Sequence, residues 1–179
     1  MIDLTRKSLP NTVRVGGRDF LINTDFRVWM RFEISLTKMR RDEYLDVSYL
    51  FVDEHPDSCN IPALLEFSRP RNELPRAISH SKVIAYDFEL DSDLIYAAFL
   101  GQYGIDLTTV EDFHWHKFLA LFNGLNDSTK MKEVMQYRCY EKSSDNKKDI
   151  YEELRRAWEI ERKSLEEQQE IEKFSNLFE

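Results

Sequence analysis

YDFELDSDLIYAAFLGQYGIDLTTVEDFHWHKFLALFNGL, the stretch from Tyr86 to Leu125, reads as two helices joined by a tight corner. Asp91 is placed to N-cap the first helix, ahead of the apolar run from Leu94 to Leu100. Gly104 falls where a left-handed residue closes a helix, and Ile105 follows as the apolar residue that such a cap tucks back. Thr108 and Glu111 have the spacing of a capping box for the second helix. Trp115, Phe118, Leu119 and Phe122 recur there at helical spacing, and Gly124 ends it. The first helix is apolar nearly all round, as expected of a helix buried on several sides. In a chain this small a subunit interface is a natural second side. The second stripe predicts core, with a partner groove or subunit contact as the alternative.

Towards the N-terminus, Val83 to Phe88 reads as a brief extended lead. Arg69 to Ser81 holds two prolines and many polar residues and predicts a linker or mobile loop. Ser58 is placed to cap a short helix carrying Ile61, Leu64, Leu65 and Phe67, stopped by Pro70. Asp42 to Asp53 is a helical candidate with Leu45, Tyr49 and Val52 on one side, although the β-rich run Val47 to Val52 leaves a strand open. Asn23 or Thr24 is expected to cap a helix through about Thr37, with Phe26, Trp29, Met30 and Ile34 as its stripe. Thr12–Val15 and Asp19–Ile22 flank Gly16-Gly17, a pair that accepts positive φ at both turn positions, so a β-hairpin is predicted. An isolated hairpin is marginal in water. This one must pack on the following helix or pair with a strand of another subunit.

Beyond Leu125, Asp127 or Ser128 is expected to start a helix with Met131, Val134 and Met135 on one face. Glu141 to Asn146 is a polar break. Lys147 to Lys173 then predicts a long charged helix: 16 of these 27 residues are charged, and glycine and proline are absent. Glu152 and Arg156, and Glu159 and Lys163, are helix-supporting pairs four residues apart. No heptad runs long enough for a coiled coil.

The 179 residues suit one domain, or a compact body with an appendage, and the 13% of aromatic residues supply its core. A net charge of −8 argues against nucleic acid and anionic lipid as general partners. Cys59 and Cys139 lack metal or redox spacing and read as two free thiols. No apolar run is long enough to span a bilayer and no signal peptide is visible, so a soluble protein of the host cytoplasm is expected.

Motifs for chemistry are missing. His114 and His116 flank Trp115, and on a helix residues two apart point in opposed directions, which counts against a shared metal. Asp87, Glu89, Asp91 and Asp93 alternate without the glycine and terminal glutamate of a calcium loop, and helix N-terminal acids explain them. There is no nucleophile elbow and no glycine-rich phosphate loop. Neither enzymatic activity nor a cofactor is expected. A small metal-dependent hydrolase using His114 or His116 is the reading from another class, and the spacing opposes it.

The wording of the central stretch carries more than its chemistry. Asp91, Ile95, Tyr96, Ala97, Ala98 and Phe99 stand together. They are followed by Tyr103-Gly104-Ile105-Asp106-Leu107, then His114-Trp115, Phe118, Ala120-Leu121 and Gly124-Leu125. This pattern resembles the hallmark of the bacteriophage gp-fifteen family, small proteins of tailed phages and prophages of Gram-positive bacteria. A second match lies in Ile22 to Arg27 with Trp29 and Phe32, while Asp145 to Glu179 departs from the family pattern. The resemblance implies a tail-assembly chaperone that binds the tape-measure protein before the tail tube polymerises around it.

The expected fold is mainly α: a helical bundle with an N-terminal β-hairpin and a long charged C-terminal helix. Residues 1–142 are expected to form the body and 145–179 a charged arm. The expected function is a phage tail assembly factor, a chaperone that binds the tape-measure protein as a homo-oligomer. The alternative is a structural tail or connector component of the virion. Ile95, Tyr96, Phe99, Trp115, Phe118 and Phe122 are the expected partner-binding residues.

Overall fold

In the computed structural model, which describes residues 2–39, 44–56, 61–69, 83–141 and 150–160, the chain opens on the hairpin that its Gly-Gly pair predicts. Strand β1 (Thr12–Val15) pairs antiparallel with β2 (Arg18–Leu21), with Val13 opposite Phe20 and Val15 opposite Arg18. Gly16 and Gly17 sit at φ 58° and 85°, the positive values that a two-residue turn of this twist demands. Val13, Val15 and Phe20 are buried and their neighbours in sequence are exposed, so the period-2 pattern sets one face of the hairpin against the body.

Six α-helices follow among the described residues. Helix α1 (Phe26–Lys38) buries Phe26, Trp29 and Phe32. Its cap is Asp25, not Asn23 or Thr24: the Asp25 carboxylate accepts the Arg27 N–H at 2.8 Å, while Asn23 uses its own side chain on the Asp25 N–H. The helix expected over 42–53 is only a 3-10 turn, Ser48–Leu50, in the part described; it buries Val47 and Leu50, and Phe51 then bridges to Ile22 beside β2. Helix α2 (Ile61–Ser68) lies against β1 with Leu64 and Phe67 inward. The Ser58 cap, the linker over 70–81 and Cys59 lie outside the described residues.

Helix α3 (Ser92–Tyr103) and α4 (Trp115–Asn123) make the predicted corner, but the path between them differs from expectation. Gly104 closes α3 at φ 66°; its N–H reaches the Leu100 carbonyl at 3.0 Å, and the Ile105 N–H reaches that of Phe99 at 3.3 Å. A Cβ at Gly104 would meet nothing within 4 Å, so the cost of a side chain there is backbone strain alone. Gly104→Val is therefore expected to cost about 1–3 kcal/mol, read as a lowered melting temperature. An unchanged melting temperature would remove the left-handed cap.

The capping box at Thr108 and Glu111 does not form. Thr108 turns back on Asp106, whose carboxylate takes its N–H at 2.9 Å and its hydroxyl at 2.6 Å. The chain then runs extended past the start of α1: the Phe26 N–H donates to the Phe113 carbonyl at 2.9 Å and the Trp115 N–H to that of Thr24 at 2.8 Å. Arg27 pins the same loop, donating to the carbonyls of Leu107 and Val110 at 2.9 and 2.8 Å. Helix α4 consequently starts at Trp115, capped by His114.

Helix α5 (Lys130–Arg138) is capped by Thr129 rather than Asp127 or Ser128, and buries Met131, Val134 and Arg138. Helix α6 (Ile150–Trp158) packs on α5 and forms the expected Glu152–Arg156 pair at 2.7 Å. One long charged helix is expected over 147–173; in the part described the helix ends at Trp158, with Glu159 and Ile160 outside it, and residues 147–149 and 161–179 lie outside the described set. No helix among the described residues is long and apolar enough to cross a membrane.

One aromatic core holds the pieces together. Phe118 is fully buried and its ring stacks on Phe26, Phe99, Trp115 and Phe122, with centroids 5.2, 5.0, 5.6 and 6.0 Å away. The buried indole N–H groups are satisfied by backbone: Trp29 on the Asn23 carbonyl at 2.6 Å, Trp115 on that of Ser68 at 2.8 Å.

Candidate functional site

The apolar residues expected to meet a partner point inward. Ile95, Phe99, Trp115, Phe118 and Phe122 are each 0–2% exposed and belong to the core, and Tyr96 alone of the six is half-buried. Their packing is with their own chain. Helix α3 also departs from the all-round burial expected of it: Ile95, Ala98 and Phe99 face in, whereas Ala97 and Leu100 are exposed. The large apolar side chains left at the surface are scattered elsewhere, on Leu21, Val52, Val83, Leu90 and Leu100 among others.

Asp91 does not cap α3 with its side chain. Its two oxygens take Arg138 in a fork, Nη1 to Oδ2 at 2.6 Å and Nη2 to Oδ1 at 2.9 Å, with both side chains buried. Oδ2 also accepts the Asp87 N–H at 2.9 Å. Arg138 also donates to backbone: Nη1 to the Ala85 carbonyl at 3.2 Å and Nε to the Trp158 carbonyl at 2.7 Å. One guanidinium thus ties the lead into α3, the start of α3, the end of α5 and the end of α6. It is structural.

The two histidines are not opposed on a helix. His114 is the cap and lies outside α4, so the rings come within 5.1 Å of one another. Each is committed to backbone. His114 Nε2–H donates to the Pro10 carbonyl at 2.9 Å and its Nδ1 accepts the His116 N–H at 3.0 Å. His116 Nε2–H donates to the Phe67 carbonyl at 2.8 Å, and its ring stacks on that of Phe67. Among the described residues no three metal-ligating side chains converge.

Burial pushes His116 down from 6.5 to about 4, and lowers His114 in the same direction. The unfolded chain therefore takes up a proton at His116 before the folded chain does. Stability due to this ring is full above pH 6.5, falls as the pH drops from 6.5 to about 4, and changes no further below that. The loss is expected to reach at most about 3 kcal/mol. Urea midpoints measured across this range should slope less in His116→Gln, which keeps a donor without titrating; parallel slopes would show that His116 is hydrated.

A cleft of about 640 Å³ opens beside β1. Thr12, Val13 and Arg14 form one side, Ala63, Glu66 and Phe67 of α2 another, and the segment from Asp3 to Asn11 the outer wall, with His116 at the floor. Four of its charges stand in two pairs: Arg6 with Asp3 at 3.3 Å, Arg14 with Asp19 at 3.8 Å. Val13, Phe67 and His116 are the buried members of the lining. The hairpin prediction located the strand but not this opening, because no local pattern says which edge of a hairpin the rest of the chain covers.

Comparison with known proteins adds one positive finding. A family model described as Bacteriophage Gp15 protein matches residues 5–162, from the cleft wall through α6. The match therefore takes in the first part of the segment from Asp145, which by its wording departs from the family pattern. No curated protein and no solved structure matches the chain.

Proposed function

The chain belongs to the Bacteriophage Gp15 protein family, and from that membership we propose that it is a tail assembly factor, a chaperone that holds the tape-measure protein soluble during tail morphogenesis. It works in the host cytoplasm by binding, without catalysis or cofactor, and as a homo-oligomer. In this reading the acidic C-terminal segment from residue 145 is an adaptable arm. Family membership is the observation that carries the proposal.

Co-expression tests it. The chain is expected to raise the soluble fraction of a tape-measure fragment from the same phage, and to be absent from purified virions. No effect on solubility would overturn the chaperone role. Stoichiometric presence in mature particles would assign the protein to the tail or connector structure instead.

A further inference from the structure

The hairpin has two edges, and among the described residues only one is taken. On the β2 side the Val52 N–H donates to the Leu21 carbonyl at 3.1 Å and the Asn23 N–H to that of Leu50 at 2.8 Å. On the β1 side the register decides what is left. The Ile22 N–H donates to the Asn11 carbonyl at 2.9 Å, which makes Asn11 and Ile22 a bonded pair. Bonding alternates along an antiparallel ladder, so Val13–Phe20 and Val15–Arg18 are bonded, and Thr12–Leu21 and Arg14–Asp19 are not. Leu21 turning its carbonyl out to Val52 is the same alternation seen from β2. Thr12 and Arg14 accordingly present N–H and C=O to the cleft, and nothing among the described residues pairs with them.

We infer that this edge binds an extended peptide segment by strand addition, through the backbone of Thr12 and Arg14. Two donor–acceptor pairs two residues apart match an extended backbone and no compact ligand. The cleft beside them, about 640 Å³, lies within the ~300–1,000 Å³ typical of ligand clefts. A single added strand needs about 4.8 Å of lateral room. The two rim arginines are balanced by Asp3 and Asp19, so no net positive charge selects an acidic motif. Recognition is by main chain and tolerant of sequence, with Val13 and Phe67 at the buried side for alternate apolar side chains. That the segment belongs to the tape-measure protein rests on the function proposed above; the strand addition does not.

The probe is a short blocked peptide alternating valine and threonine between terminal lysines, added to the full chain. Exchange of the Thr12 and Arg14 amides is expected to slow by about tenfold or more at saturation. The same peptide N-methylated at alternate backbone nitrogens should have no effect. Arg14→Pro removes one outward N–H while sparing the β1–β2 bonds, as an edge strand allows; it should weaken binding about tenfold, whereas Arg14→Ala, with its backbone intact, should bind as the parent does. Unchanged exchange at Thr12 and Arg14, or equal binding of the methylated peptide, would overturn the inference whether or not a variant folds. So would a dimer that Arg14→Pro converts to monomer while the peptide leaves these amides untouched, since the edge would then belong to a second copy. Co-expression with the tape-measure fragment separates the two proposals. Rescue by both Arg14→Pro and the parent would keep the chaperone and show that the edge does not hold the tape-measure segment; no rescue by the parent removes the chaperone, and in either case the peptide experiment decides the strand addition.

Discussion

Arg138→Met is expected to destabilise the protein by about 3–5 kcal/mol. The substitution leaves the Asp91 carboxylate buried without its cation, with the Asp87 N–H at 2.9 Å as its remaining protein donor. It also strips the carbonyls of Ala85 and Trp158 of their guanidinium bonds. An uncompensated buried charge costs more than the pair contributes, so the double variant Arg138→Met, Asp91→Leu should recover most of the loss. Denaturant titration of the three variants measures this directly. The pair is out of reach of screening ions, so added salt should not reproduce the effect. A loss below about 1 kcal/mol, the range of exposed pairs, would mean that water reaches Asp91 in solution. Since α6 is held partly by the Arg138 bond to Trp158, its packing on α5 should loosen first, seen as a change in indole fluorescence at denaturant concentrations where the core is intact.

Phe118→Ala is expected to cost a similar amount, about 3–5 kcal/mol, for a different reason. The Phe118 ring contacts aromatic rings from α1, α3 and α4 and from the lead into α3. The four stacked neighbours cannot all close over the vacated volume, because they are held on three helices: Phe26 on α1, Phe99 on α3, and Trp115 and Phe122 on α4. Against a typical total of about 5–15 kcal/mol the variant should be marginal or unfolded at 37 °C, and Phe118→Leu should lose much less. A variant that keeps its melting temperature while losing client binding would place Phe118 in a partner groove after all.

That contrast marks the limit of reading an apolar stripe. Trp115, Phe118 and Phe122 recur at helical spacing, and such spacing states that one face leaves water without stating what covers it. Core and interface ask for the same side chains. The histidines misled for a related reason: the opposed-face argument holds inside a helix, but α4 begins one residue after His114. The capping box failed because Thr108 and Glu111 have the right spacing in a place where Phe113 and Trp115 instead bond across to Phe26 and Thr24. Two long-range backbone bonds outweighed one local signature.

What the sequence determined alone was local or lexical. Gly16-Gly17 and the alternation around them specify the hairpin, Gly104 the left-handed end of α3, and the Tyr86–Leu125 wording the family. Each depends on residues within a few positions of one another, where φ preference and hydrophobic period act directly. The tertiary structure alone decided the rest. The Asp91–Arg138 fork joins residues 47 apart, and the commitment of His116 to Phe67 spans 49. The open edge of β1 exists because residues 50–52 return to cover β2 and nothing described returns to cover β1. Which buried groups find partners, and which backbone groups are left to offer, depends on where distant segments come to rest, and no periodicity records that.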